Sequence, residues 1–121
     1  MRRFKNIYVA LLILIFLTSC ANFNTNTKNA IGSAGITYNQ SMQAAADLKK
    51  QGKISDTQWI QIDKYGKAFY VAYNSTIDAF IIYLKAENAD AKAKVEILLV
   101  NMATELTKIN DYINVLKGGS K

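Results

Sequence analysis

The sequence predicts an all-α protein, an up-down-up bundle of three helices over residues 30–121. Apolar residues recur at steps of three and four along three successive segments of this range, which is the spacing of one face of a helix. The chain contains no proline that would interrupt these segments. Gly52 and Asn88 mark short connections between them, so successive helices should be antiparallel neighbours. We therefore expect one domain with two long helices and a shorter first helix.

The first segment has the weakest helical pattern. Gly32, Gly35 and the β-branched Thr37 lower the helix propensity near its start, which predicts a short helix or one that is frayed at this end. Lys49 and Gly52 predict where it stops, because a cation suits the last carbonyl groups and glycine tolerates a left-handed cap. The predicted core positions are Ile31, Ala34, Tyr38, Met42, Ala45 and Leu48.

The second segment has a well-defined predicted start. Ser55 and Gln58 have the spacing of a capping box, and Ile54 and Trp59 that of a hydrophobic staple. The helix could continue for about 30 residues, or roughly 45 Å. Gly66 lies within the apolar stripe, which indicates close approach of a neighbouring helix. The stripe comprises Trp59, Ile62, Gly66, Phe69, Tyr73, Ile77, Phe80 and Leu84, and it is widened by Tyr70, Ile81 and Tyr83.

The third segment is the most regular, with heptad-like spacing from end to end. Asn88 or Asp90 is suited to cap its start, Lys117 suits its last turn, and Gly118 and Gly119 predict its end. We find no repeat beyond the heptads and no second domain. The apolar positions are Val95, Leu98, Leu99, Met102, Leu106, Ile109, Ile113 and Leu116.

Residues 1–20 have the layout of an export signal. Three basic residues precede an almost unbroken apolar run, and small residues close it. The closing tetrapeptide consists of Leu17, Thr18, Ser19 and Cys20, and it resembles the lipobox of bacterial lipoproteins. The resemblance implies that lipoprotein signal peptidase recognises Leu17, Thr18 and Ser19 and removes residues 1–19. It also implies that Cys20 carries a diacylglyceryl thioether and, usually, a third acyl chain such as palmitate.

A membrane span and an ordinary secretory signal are two other interpretations of this start. A transmembrane helix needs about 20 apolar residues, and the run provides roughly half of that before polar residues follow. An ordinary secretory signal would leave Cys20 as a free thiol, which is unusual in an exported protein. Lipidation is favoured because it requires a lone cysteine at this position and because two or more acyl chains make membrane attachment stable.

Residues 20–29 are expected to be the lipidated cysteine and a flexible tether. The stretch is polar, without hydrophobic period, and would reach about 30 Å at full extension, holding the domain just off the membrane. The non-acidic Ala21 after the cysteine resembles the sorting pattern for the outer membrane. The domain would then face the periplasm in a diderm, or lie on the outer face of the cell membrane if there is only one.

Composition argues against an enzyme. The chain has no histidine, and its one cysteine is the predicted acylation site, so Ser/His/Asp and Cys/His nucleophile systems and the usual zinc or copper sites lack their main groups. The carboxylates of Asp56 and Asp63, or of Glu105 and Asp111, are interpreted as charged helix surface. Without residues 1–19 the net charge falls from +6 to about +3, and an exported domain is not expected to meet nucleic acid. We predict no cofactor and no metal.

The aromatic residues of the second helix are the candidate interaction site. Most of them fall on the core stripe, and core packing alone explains them. Three helices do not cover every ring, however, and Tyr65, Tyr70 and Tyr83 are predicted to leave an exposed patch, a feature typical of protein contacts.

Two classes of function remain. The first is an envelope lipoprotein whose bundle binds another envelope protein or itself, as an accessory or structural part. The second is a blocking lipoprotein of the immunity or superinfection-exclusion type, which occludes a receptor or transporter. A patch near the tether would favour blocking, and a patch along the whole second helix would favour self-association. The terminal Lys121 also resembles that of the small murein lipoprotein, whose last lysine is joined to peptidoglycan.

Overall fold

A computed structural model describes residues 22–119, which form three α-helices. The helices are α1 (Phe23–Lys50), α2 (Asp56–Ala86) and α3 (Ala89–Gly119). There is no strand among these residues, and the predicted all-α three-helix bundle is confirmed. The predicted signal sequence, its lipobox with Cys20, and Lys121 lie outside the described residues.

Ring contacts establish that α1 and α2 are antiparallel. Tyr38 stacks on Phe69 with 4.6 Å between ring centroids, and Phe23 lies edge-on to Tyr83 at 5.0 Å. Lower residue numbers in α1 are therefore paired with higher numbers in α2.

The same reasoning orients α3. Tyr65 of α2 contacts Tyr112 of α3 at 5.5 Å, and the Thr76 hydroxyl donates to the Leu98 carbonyl at 3.1 Å. The lower residue number in α2 is paired with the higher number in α3, so α2 and α3 are also antiparallel. It follows that α1 is parallel to α3.

The first helix is longer than the sequence predicts. It contains 28 residues and begins at Phe23, so the predicted flexible tether is wrong from that residue onward. Phe23 and Thr27 are buried, and the Phe23 ring packs against Tyr83. A contact with a residue far along the chain holds this polar stretch in a helix despite its weak propensity.

Two glycine and tyrosine pairs set the contact between α1 and α2. A Cβ atom at Gly66 would lie 3.0 Å from the Tyr38 hydroxyl oxygen, and one at Gly35 would lie 2.9 Å from that of Tyr73. The close approach predicted at Gly66 is confirmed, and Gly35 has the reciprocal role. Burial, and then the Asp63 carboxylate, raise the pKa of the Tyr38 phenol above its usual value, which favours the neutral ring.

The predicted end of α1 and the predicted starts of α2 and α3 are confirmed. The Gln58 amide donates to the Ser55 hydroxyl at 3.1 Å, and the Ser55 amide donates to the Gln58 side chain at 2.8 Å. Gly52 follows α1 with φ of +68°. The Asn88 side chain accepts the Ala91 amide at 2.8 Å and caps α3. The connections are therefore short, as the bundle topology requires.

We expect Ser55→Ala to lower the free energy of unfolding by about 1 kcal/mol, because the substitution removes one half of the capping box. Urea denaturation followed by circular dichroism measures this difference. Thr57→Ala, at an exposed position two residues into the same turn, is the control. Equal effects of the two substitutions would argue against the cap.

The core lies along the three facing stripes, and the core positions predicted in α1 and α3 are confirmed as buried or half-buried. Thr76 is a buried polar residue with partners, since its hydroxyl donates to the carbonyls of Ala72 at 2.7 Å and Leu98 at 3.1 Å. Thr27 is buried too, but its Oγ1 has no hydrogen-bond partner within the described part of the chain. The buried apolar positions of α3 are Val95, Leu99, Met102, Ile109 and Ile113.

These two threonines should respond oppositely to the same substitution. Thr27→Val removes a buried hydroxyl that makes no hydrogen bond and should stabilise the bundle by about 1 kcal/mol. Thr76→Val removes a bonded hydroxyl and should destabilise it by a similar amount. The difference between the two urea midpoints checks this. A loss of stability in Thr27→Val would mean that its hydroxyl has a partner.

Candidate interaction surface

Tyr70 alone of the three predicted patch residues is exposed. Tyr65 is half-buried against Tyr112, with 5.5 Å between ring centroids. Tyr83 is half-buried between Phe23 at 5.0 Å and the stacked ring of Phe80 at 6.5 Å. The expected exposure of Tyr65 and Tyr83 is therefore not found, because rings from α3 and α1 cover them.

A different set of residues on α2 faces solvent. Ile60, Val71 and Ile82 have exposed fractions of 55%, 66% and 56%. They lie eleven residues apart, about three helical turns, and so share one side of the helix. We define the α2 outer face as the residues at steps of three and four that connect them, namely Ile60, Lys64, Lys67, Val71, Ser75, Asp78 and Ile82.

Further apolar side chains are exposed beside this face. Tyr70, Ile81 and Leu84 are all exposed, although the sequence pattern placed Leu84 in the core stripe and the other two at its margin. The core assignment is therefore wrong for Leu84, which is 40% exposed, and the margin residues Tyr70 and Ile81 are exposed at 61% and 45%. Exposed apolar side chains therefore extend along α2 from Ile60 to Leu84.

The sequence of α2 contains an indication of its exposed apolar surface that the helical period does not show. Tyr70 and Val71 are adjacent, and so are Ile81 and Ile82. Adjacent residues point about 100° apart around a helix, so these two pairs widen the apolar surface of α2 beyond a narrow stripe. Both members of each pair are exposed.

Phe23 shows which end of the bundle holds the start of α1. Its ring contacts Tyr83 near the end of α2, and the Lys92 ammonium lies 5.0 Å from its centroid. The start of α1 therefore lies at the end of the bundle that carries Tyr83.

A polar groove lies between α1 and α3. It has a volume of about 340 Å³, and a hydrogen bond from the Ser41 hydroxyl to the Asn110 side chain links the two helices there. Its hydroxyl, amide and carboxylate groups could hydrogen-bond a polar ligand. It has no histidine or thiol that would serve as a nucleophile. The polar lining residues are Thr37, Gln40, Ser41, Thr107, Asn110, Asp111, Asn114 and Lys117.

Neither metal ligands nor membrane-spanning helices are found in residues 22–119. No group of three or more acidic, histidine or cysteine side chains in this range could hold a metal ion. None of the three helices combines the length and the apolar character needed to cross a bilayer. The α2 outer face is therefore the best-defined candidate site in the described part of the chain.

No protein-family model, curated protein or solved structure matches this chain.

Proposed function

We propose that this chain is a membrane-anchored lipoprotein of the bacterial cell envelope and that its bundle is a protein-interaction or structural module. The lipobox formed by residues 17–20 supports the anchor. In a diderm the domain would lie in the periplasm on the outer membrane, and with one membrane it would lie on the outer face. The proposal assigns it no catalytic step and no cofactor.

The exposed apolar side chains of α2 are the observation on which the interaction role depends. Ile60, Val71 and Ile82 are more than half exposed, although burying an isoleucine or valine side chain is worth about 1.5–3 kcal/mol. Three such residues on one side of one helix form a surface that gains free energy when another protein covers it. Because they extend along the whole of α2, self-association is a natural use of this surface.

The blocking-lipoprotein alternative has an observation of its own. Ile81, Ile82 and Leu84 are exposed at the end where Phe23 enters the bundle. A membrane protein beside the anchor could be occluded by these side chains. This role differs from the first in requiring an envelope receptor or transporter as the partner.

Crosslinking in intact host cells tests the proposal. An epitope-tagged chain is crosslinked, purified and analysed by mass spectrometry, alongside Val71→Lys and Ile97→Lys. These two positions are matched, since Val71 is 66% and Ile97 is 67% exposed and they lie on different helices. We expect a stoichiometric partner with the parent chain and Ile97→Lys, and its loss with Val71→Lys.

The identity of the partner separates the candidates. A second copy of the chain, or an accessory envelope protein, supports the structural module. A receptor or transporter whose activity falls when this chain is present supports blocking. Equal recovery with Val71→Lys and the parent chain would overturn the role of α2, and recovery from the soluble fraction would overturn the anchor.

A further inference from the structure

The α2 outer face is arranged symmetrically about its central residue. Ile60 and Ile82 each lie eleven residues from Val71, one before it and one after it. Lys64 and Asp78 each lie seven residues from Val71, again on opposite sides. Apolar residues thus occupy the centre and both ends, while opposite charges occupy the intermediate positions.

These side chains are available for contacts with another molecule. Ile60, Val71 and Ile82 are exposed, and so are Lys64 and Asp78. Within the described residues neither of these two charged groups forms an ion pair in its own chain. The neighbouring Lys67, in contrast, pairs with Asp63 at 3.0 Å.

We propose that the α2 outer face binds the same face of a second copy of this chain, with the two α2 helices antiparallel and a two-fold axis at Val71. Val71 then contacts its counterpart, and Ile60 of each chain packs against Ile82 of the other. Lys64 of each chain faces Asp78 of the other. This inference rests on the proposed function, because it names the partner of that module.

Self-complementarity selects a second copy over an unrelated partner. An interface with two-fold symmetry uses the same patch on both subunits, so residues equally far from the axis must be compatible. The apolar pair Ile60 and Ile82 and the charged pair Lys64 and Asp78 both meet this condition. Ion pairing at the rim contributes orientation more than affinity.

The charges also select the antiparallel arrangement. In a parallel pair in register, Lys64 would face Lys64, Lys67 would face Lys67, and Asp78 would face Asp78. Like charges in contact across a helix interface are destabilising. The antiparallel pair instead brings Lys64 to Asp78 and places Lys67 opposite the polar Ser75.

The dimer constrains how the protein lies on the membrane. The 31 residues of α2 extend about 46 Å, and the contact of Phe23 with Tyr83 places the start of each α1 near one end. An antiparallel pair therefore has the two α1 starts at opposite ends, and a proposed anchor precedes each of them in the chain. Both anchors can enter one bilayer only when the paired helices lie along its surface.

Cysteine crosslinking of the full chain in cells tests this arrangement. We expect Val71→Cys alone to give a covalent dimer with a short bis-maleimide. Ile60→Cys alone should remain monomeric, because its counterpart is 22 residues away along the helix axis, or about 33 Å. Co-expression of Ile60→Cys and Ile82→Cys with different tags should give a mixed dimer. Thr104→Cys, exposed on α3, should give none.

Charge reversal provides a second measurement. Lys64→Asp in the Val71→Cys chain should reduce the yield of crosslinked dimer several-fold, and adding Asp78→Lys should restore it. A simple loss of folding would not be rescued by the second change. Failure of Val71→Cys to crosslink, or self-crosslinking of Ile60→Cys, would overturn the proposed dimer.

Different experimental results would overturn the proposed dimer and the proposed function. Mass spectrometry of the linked peptides distinguishes a crosslink at an introduced cysteine from one at Cys20. An acylated Cys20 has no free thiol and cannot be crosslinked. A dimer linked through Val71→Cys in a chain without lipid would uphold the dimer and overturn the anchor. A lipidated chain whose Val71→Cys form captures only another envelope protein would overturn the dimer and uphold the interaction module.

Discussion

Cys20→Ser should abolish incorporation of labelled fatty acid and leave the chain as an uncleaved precursor. The diacylglyceryl group forms a thioether, and serine has no thiol to accept it. Lipoprotein signal peptidase acts on the lipidated form, so residues 1–19 should remain attached. Metabolic labelling with an alkyne fatty acid reports the first effect, and the intact mass of the purified chain reports the second.

Thr18→Ala is the matched control for this substitution. It exchanges one small residue of the tetrapeptide for another and keeps Leu17 and Cys20, so labelling and cleavage should continue. Normal fatty-acid labelling of Cys20→Ser would show that acylation occurs elsewhere in the chain. Cleavage without labelling in the parent chain would indicate an ordinary secretory signal instead.

Phe69→Ala should lower the free energy of unfolding by about 3–5 kcal/mol, the usual range for removing a buried phenylalanine. Phe69 is 1% exposed and lies between Tyr38 at 4.6 Å and Tyr73 at 5.5 Å, measured between ring centroids. The substitution leaves a cavity where α1 meets α2 and removes both ring contacts. Because a domain of this size has about 5–15 kcal/mol of stability, the urea midpoint should fall markedly.

Tyr70→Ala is a matched control at the next position of the same helix. Tyr70 is 61% exposed, and a surface substitution of this kind usually changes stability by no more than about 0.5 kcal/mol. The difference in unfolding free energy between the two variants therefore distinguishes a loss of core packing from a change in helix propensity. Similar losses in both would mean that the face of α2 containing Phe69 is not the one packed against α1.

Local sequence features were sufficient to predict the helices and most of their core. The capping box of Ser55 and Gln58, the left-handed Gly52 and the cap at Asn88 each depend on residues within one turn. The regular spacing along α3 depends on the helical period alone. Such features could be predicted because the interactions that produce them connect neighbours in the chain.

The candidate surface could not be predicted in the same way. The period of α2 places Tyr65, Tyr70 and Tyr83 near the margin of its core stripe, but it does not say which margin a neighbouring helix covers. Tyr65 is half-buried because Tyr112 lies beside it, whereas Tyr70 is 61% exposed. The exposed face around Val71 follows from the same unequal coverage of α2.

The sequence by itself determined the fold class, the ends of α2 and α3 and most of the side chains that each helix directs to the core. Only the tertiary structure decided that α1 begins at Phe23 and which side of α2 stays in solvent. Helical periodicity specifies which side chains share a face, because that depends on neighbours in the chain. Burial of a face depends on contacts such as Phe23 with Tyr83, between residues far apart in sequence.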